Sequence, residues 1–85
     1  MEIEHRIAKD IRIFSENIKK IERTGLSPAE AGVVSLAEMY ASDSKAFLEK
    51  RDYYTSFSSI AYAHGLLDAI LKIKGAYGDE GDKGR

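Results

Sequence analysis

The side chains of this chain that could do chemistry are few and lie far apart. Glu2-Ile3-Glu4-His5 contains a Glu-x-x-His step, whose i,i+3 spacing puts a carboxylate and an imidazole on one face of a helix. Di-iron bundles build their centres from two such pairs plus further glutamates turned inward. The second histidine, His64, is preceded at that spacing by Ala61, so the second pair is missing and no metal site is expected. His64 sits in an apolar neighbourhood, where an imidazole can act as a general base. The only acid at a helical spacing from it is Asp68, and no serine or threonine stands where a nucleophile would. A satisfied, half-buried histidine is therefore the preferred reading. With no cysteine there is no thiol nucleophile and no thiolate metal site. Gly75, Gly78, Gly81 and Gly84 follow the last helical pattern, whereas a phosphate-cradling loop precedes a helix. Catalytic residues, cofactor and metal are all read as none, and the protein as not an enzyme.

Three polar residues remain as candidate anchors: Tyr40, His64 and Asp68. Asp68 fits either an exposed i,i+4 pair with Lys72 or a contact across helices to Tyr40 or Arg12. Tyr40, Tyr53, Tyr54 and Tyr62 read either as core rims with wet hydroxyls or as an aromatic interface. Arg6, Lys9, Arg12, Lys19, Lys20 and Arg23 give the first helix a basic character, but Glu4, Asp10, Glu16 and Glu22 are interleaved with them. With 13 basic and 14 acidic residues the formal charge is -1. No long-range basic field exists to drive counterion release from phosphates. A nucleic-acid accessory role for the first helix is kept only as the alternative.

The elements that must carry these residues are helices. Ile3, Ile7, Ile11, Phe14, Ile18 and Ile21 recur at helical period and predict a first helix over about 2–24. Gly25 is expected to end it in the left-handed conformation, with Leu26 making the accompanying apolar contact. Ser27-Pro28-Ala29-Glu30 reads as a capping box with proline at the first helical position. It opens a second helix over 28–50, whose expected core face is Val33, Leu36 or Ala37, Tyr40, Ser44, Phe47 and Leu48. Arg51-Asp52 leaves room only for a tight antiparallel connection, with Asp52 as N-cap of a third helix over 53–74. Residues 76–85, rich in glycine and charge, are expected to form a disordered tail. The chain is thus one domain over 1–75, an all-α, up-and-down antiparallel three-helix bundle.

The third helix is the anomaly. The chain is 32% charged, yet between Tyr53 and Ile73 only Asp68 and Lys72 are ionised at neutral pH, with His64 as the third titratable group. Phe57, Ile60, Ala61, His64, Leu67 and Leu71 supply one apolar stripe, expected to face the core. Tyr62, Leu66, Ala69 and Ile73 supply another around the side, and Ala63 and Gly65 keep the helix slim. The second stripe is either internal, since a bundle helix touches two neighbours, or a contact surface for a second copy or another protein. Eighty-five residues bury only about 60% of the surface of the unfolded chain, so added burial would help. No run approaches the roughly 20 apolar residues of a membrane span, and the N-terminus lacks a signal-peptide pattern. A cytoplasmic protein with no membrane partner is expected. The chain has no glutamine and one asparagine, Asn17, a thermophile tendency when Lys, Arg and Glu abound.

Tyr40, Ala41, Asp43, Ala46, Phe47 and Leu48, then Asp52 and Tyr53, then Tyr62-Ala63-His64-Gly65-Leu66-Leu67-Asp68 resemble the helical hairpin of the archaeal domain of unknown function 357 family. The likeness covers the second and third helices best and the first by length and pattern. It implies an archaeal source and a bundle similar to immunoglobulin- and albumin-binding domains, with no reaction assigned. Members often carry Gly-Asp at the hairpin turn; Arg51-Asp52 stands here, so the turn is expected to need no positive φ. A weaker likeness, to helical toxin-like domains that accompany nucleotidyltransferases, fails on its Arg-to-His spacing: neither His5 nor His64 has an arginine five to seven residues before it. The function read from the sequence is a non-enzymatic interaction or self-association module. Its contact is expected at Tyr62, Leu66, Ala69 and Ile73.

Overall fold

A computed structural model describes residues 2–75. It contains α1 (Glu2–Ile18), a single 3-10 turn (Arg23–Gly25), α2 (Pro28–Glu49) and α3 (Tyr53–Ile73). The described residues form an all-α, three-helix arrangement in which α2 and α3 share the most extensive interface and α1 lies mainly against α3. The expected tail over 76–85 lies outside the described residues.

α1 is shorter than its apolar pattern. After Ile18 the backbone tightens into i→i+3 bonds, Lys20 N–H to Asn17 O at 3.0 Å and Ile21 N–H to Ile18 O at 3.2 Å. Ile21 still reaches the core from outside the helix, which is why the periodicity ran on past its end. Gly25 does not adopt a positive φ, so the left-handed cap expected there is absent; the 3-10 turn makes the reversal instead. Leu26 does pack against the core.

The start of α2 follows its sequence signature closely. Ser27 Oγ accepts from Glu30 N–H at 3.1 Å, and the Glu30 carboxylate accepts from Ser27 N–H at 2.9 Å. Together they satisfy two amides that the first turn would otherwise leave unpaired. At its other end α2 closes with two backbone bonds, Arg51 N–H to Leu48 O at 3.0 Å and Asp52 N–H to Phe47 O at 2.9 Å. This is a Schellman arrangement, and it requires a left-handed residue between the helices. Arg51 takes that role at φ 64°, which corrects the expectation of a turn without positive φ. Asp52 then caps α3, its carboxylate accepting from Thr55 N–H at 3.2 Å.

The core is built from Ile7, Ile11, Phe14 and Ile21 on the α1 side, Val34, Ala37 and Ala41 on α2, and Ile60, Ala63, Leu67, Ile70 and Leu71 on α3. Two expected core faces are rotated. On α2 the buried row is Val34, Ala37, Ala41 and Ser44, while Leu36 is exposed and Val33, Tyr40, Phe47 and Leu48 are half-buried. On α3, Phe57 and Ala61 are exposed, and Ser56, Ser59, Ala63 and Ile70 are buried instead. The cause is close packing of the hairpin through small residues. Ser44 Oγ donates to Ser56 O at 2.8 Å, and Ser56 Oγ donates to Ser44 O at 2.7 Å. This reciprocal pair draws the helices together where a larger side chain would hold them apart.

Candidate interaction surface

α3 has two flanks on either side of its buried row, and α1 takes one of them. His64 Nε2 lies 2.8 Å from the carbonyl oxygen of Asp10 on α1. A carbonyl can only accept, so Nε2 carries the proton and donates. The imidazole also meets the Phe14 ring edge-on at 5.8 Å. Farther along the same flank, the Arg6 guanidinium lies 6.0 Å from the centre of the Phe57 ring. His64 is therefore a half-buried clasp between α1 and α3, its Nε2 committed to that contact.

The opposite flank holds Tyr62, Leu66, Ala69 and Ile73, which follow one another at helical spacing. Ile73 is 67% exposed and Tyr62 49%, Ala69 is exposed, and Leu66 is half-buried against the core. The Tyr62 ring meets Tyr40 edge-on at 4.7 Å, so the flank continues onto α2. There Val33 and Leu36 lie beside Tyr40 at helical spacing, and Met39 is 49% exposed at their outer edge. The other flank of α2 faces α1: Glu38, Ala41, Ser42 and Lys45 line a groove of about 200 Å³ together with Phe14, Ser15 and Ile18. α1 thus covers one side of the α2–α3 hairpin, and an apolar surface from both helices lies on the other.

Of the three anchors, Tyr40 belongs to this surface and His64 to the α1 side, while Asp68 is half-buried on the His64 flank. They do not form one constellation. Sequence reasoning assigned Val33, and Leu36 or Ala37, to the core; Val33 packs against it and Ala37 is buried, whereas Leu36 is exposed, and Met39 was overlooked. The available signal was the row of small residues Ala37, Ala41 and Ser44, which marks the tightly packed stripe and turns Leu36 outward.

Several ionisable groups elsewhere are engaged in local structure. Arg6 pairs with Asp10 at 3.4 Å and Arg23 with Glu38 at 2.8 Å. Lys74 Nζ donates to Gly25 O at 2.8 Å and to Glu30 at 3.3 Å, at the rim of a shallow pocket of about 330 Å³. The backbone amide of Ser27, and next Lys74, hold the Glu30 carboxyl below its ordinary pKa. Among the described residues no group of three or more His, Asp or Glu side chains is placed to hold a metal ion. Among the same residues no helix is long and apolar enough to cross a membrane.

Residues 9–75 match the family model described as protein of unknown function (DUF357), a span running from within α1 to the glycine that closes α3. The chain belongs to the DUF357 family. Among curated proteins no sequence matches it. For this DUF357 chain the family supplies no reaction or ligand.

Proposed function

We propose that this protein is a non-enzymatic helical interaction module that uses the free side of its α2–α3 hairpin. The observation that carries the reading is the exposure of Tyr62 and Ile73 on a helix that bears only two charged residues, beside half-buried Leu66 and exposed Ala69. Exposed apolar patches of several hundred square ångströms are characteristic of contact sites. The groups with catalytic chemistry have local roles: His64 is bonded to Asp10, and the serines at the centre of the hairpin bond each other's carbonyls. The role is that of a scaffold whose packed side presents the other.

Site-specific photocrosslinking inside the cells that make the protein tests this reading. A photoreactive residue at Ile73 or Tyr62 should give discrete adducts, and one at Glu49, exposed on another side of α2, should not. Equal labelling from all three positions, or none from any, would refute an interaction role for this side.

A further inference from the structure

We infer that the occupant of the free hairpin side is a second copy of this chain, packed about a two-fold axis that crosses the helices near Leu36 and Leu66. This inference rests on the interaction-module reading and adds the identity and geometry of the partner.

Three observations lead to it. The first is charge: this side carries Ala29, Gly32, Val33, Leu36, Met39 and Tyr40 of α2 and Tyr62, Leu66, Ala69 and Ile73 of α3, none of them charged, with half-buried Asp43 one turn beyond Tyr40. A two-fold near Leu36 sets Asp43 over Ala29 of the second copy and not over another acid, so two identical surfaces meet without like-charge repulsion.

The second is shape. The Tyr40–Tyr62 pair makes one end of the surface bulky, while towards the other end Gly32, Ala29 and Ala69 leave slight stretches on both helices before Ile73. A two-fold axis perpendicular to the helices, lying in the contact plane, exchanges the ends. It places α2 antiparallel on the second copy's α2, and α3 on the second copy's α3. Residues at similar distances from the axis then face each other, so Tyr40 falls over the second copy's Gly32, four residues either side of Leu36, and Tyr62 comes near its Ala69, four and three residues either side of Leu66. An added Cβ at Gly32 would meet nothing within 4 Å inside the chain, so that space is open to a neighbour. Isologous contacts of this kind close after two copies.

The third is area. Leu36 is 36% exposed, Met39 49%, Tyr62 49% and Ile73 67%, with Val33, Tyr40 and Leu66 half-buried beside them. Such a row of part-exposed apolar side chains presents on the order of a few hundred Å² per copy. A standard interface takes about 800 Å² per partner, including its polar rim. The exposed apolar row can thus form the centre of such an interface, which a polar rim completes.

The chain has no cysteine, so a single introduced cysteine can pair only with that of another copy. The test combines light scattering on the full chain with oxidation of Leu36→Cys and Ser35→Cys variants, Ser35 being exposed on the outer side of α2. The expected results are a mass of twice 9.5 kDa that falls on dilution, and efficient disulfide formation from L36C but not S35C. Ile73→Glu, at a site already 67% exposed, should keep its helical circular dichroism and weaken the dimer by about tenfold or more. A mass of 9.5 kDa up to millimolar concentration overturns the inference. So does a dimer that S35C locks as well as L36C, or one indifferent to I73E. Monomeric protein whose Ile73 crosslinks to a different protein in cells would refute the second copy and leave the interaction module standing. Monomer with no adducts would refute both.

Discussion

Arg51 holds a backbone conformation that suits glycine, and Arg51→Gly should stabilise the protein. At φ 64° its Cβ crowds the neighbouring carbonyl, which costs an L-residue roughly 1–2 kcal/mol. The two bonds that close the turn, Arg51 N–H to Leu48 O and Asp52 N–H to Phe47 O, use only backbone atoms and survive the change. Glycine also loosens the unfolded chain, which offsets about 0.5–1 kcal/mol of the relief. The net gain is about 0.5–1 kcal/mol. In a domain of this size each kilocalorie moves the melting temperature by roughly 4–8 °C. Urea unfolding followed by far-UV circular dichroism should show a raised midpoint at unchanged slope. Arg51→Val, branched at Cβ, should fall below the parent, since a β-branched residue at positive φ is the worst case. A glycine variant no more stable than the parent, or a valine variant equal to it, would show that no strain resides at this turn. Gly75→Ala provides the converse: at φ 72° an added Cβ is strained, and about 1 kcal/mol should be lost.

Ser44→Ala and Ser56→Ala should each cost about 1 kcal/mol in the same unfolding assay, and the double variant less than their sum, because the hydroxyls also lie 3.1 Å from one another. Gly65, exposed within α3 with nothing within 4 Å of a built Cβ, should gain about 0.5–1 kcal/mol on replacement by alanine, again read from the urea midpoint. Glu30 is held below the ordinary carboxylate value by the Ser27 amide and Lys74, so its folded pKa is the lower one. Its contribution is present above the unfolded pKa and is lost as pH falls through the folded value; melting curves from neutral to acid pH should therefore fall less steeply for Glu30→Gln. Titration with duplex and single-stranded DNA or RNA at low salt should give no binding, because Glu4, Asp10, Glu16 and Glu22 are interleaved with the basic residues of the first segment and the formal charge is -1; salt-sensitive binding would favour the nucleic-acid alternative.

Helix identity was legible wherever a local chemical signal coincided with the pattern. Ser27, Pro28 and Glu30 announce the start of α2 because their bonds lie within four residues of each other, and Asp52 announces α3 for the same reason. The end of α1 was not legible: Ile21 extends the apolar period while lying outside the helix, and periodicity reports which side is buried rather than which dihedrals are used. The rotation of the core faces was hidden too. Large apolar residues were assigned to the core by hydrophobicity, yet the Ser44–Ser56 contact makes small polar residues the closest-packed points and turns Leu36 and Phe57 outward. Arg51 misled because its side chain gives no sign of a left-handed backbone, and the demand comes from the link between two helices. Of the four α3 residues singled out, Leu66 also packs on the core, so Leu66→Glu would perturb folding as well as contact, and Ile73 is the cleaner probe.

A geometric reason underlies the low charge of α3. Two antiparallel helices form a layer with two sides, and a single further helix can shield only one of them. Here α1 takes the side bearing His64 and Phe57, with Ile7, Ile11 and Phe14 buried against the hairpin. Had the other side been selected for water alone, the cheapest residues beside Tyr40 and Leu66 would be lysine and glutamate, which favour helix, dissolve well and leave the buried row untouched. Ile73, Tyr62 and Met39 stand there instead, each with about half or more of its surface exposed. Their retention contributes little to the fold of an isolated chain, whereas burying them against a partner adds roughly 25 cal/mol per Å² of apolar surface. The same reasoning separates two classes of substitution: polar changes at Ile73 should leave unfolding of the monomer nearly unchanged and weaken association, while polar changes at Ile70, three residues earlier and 3% exposed, should destroy both.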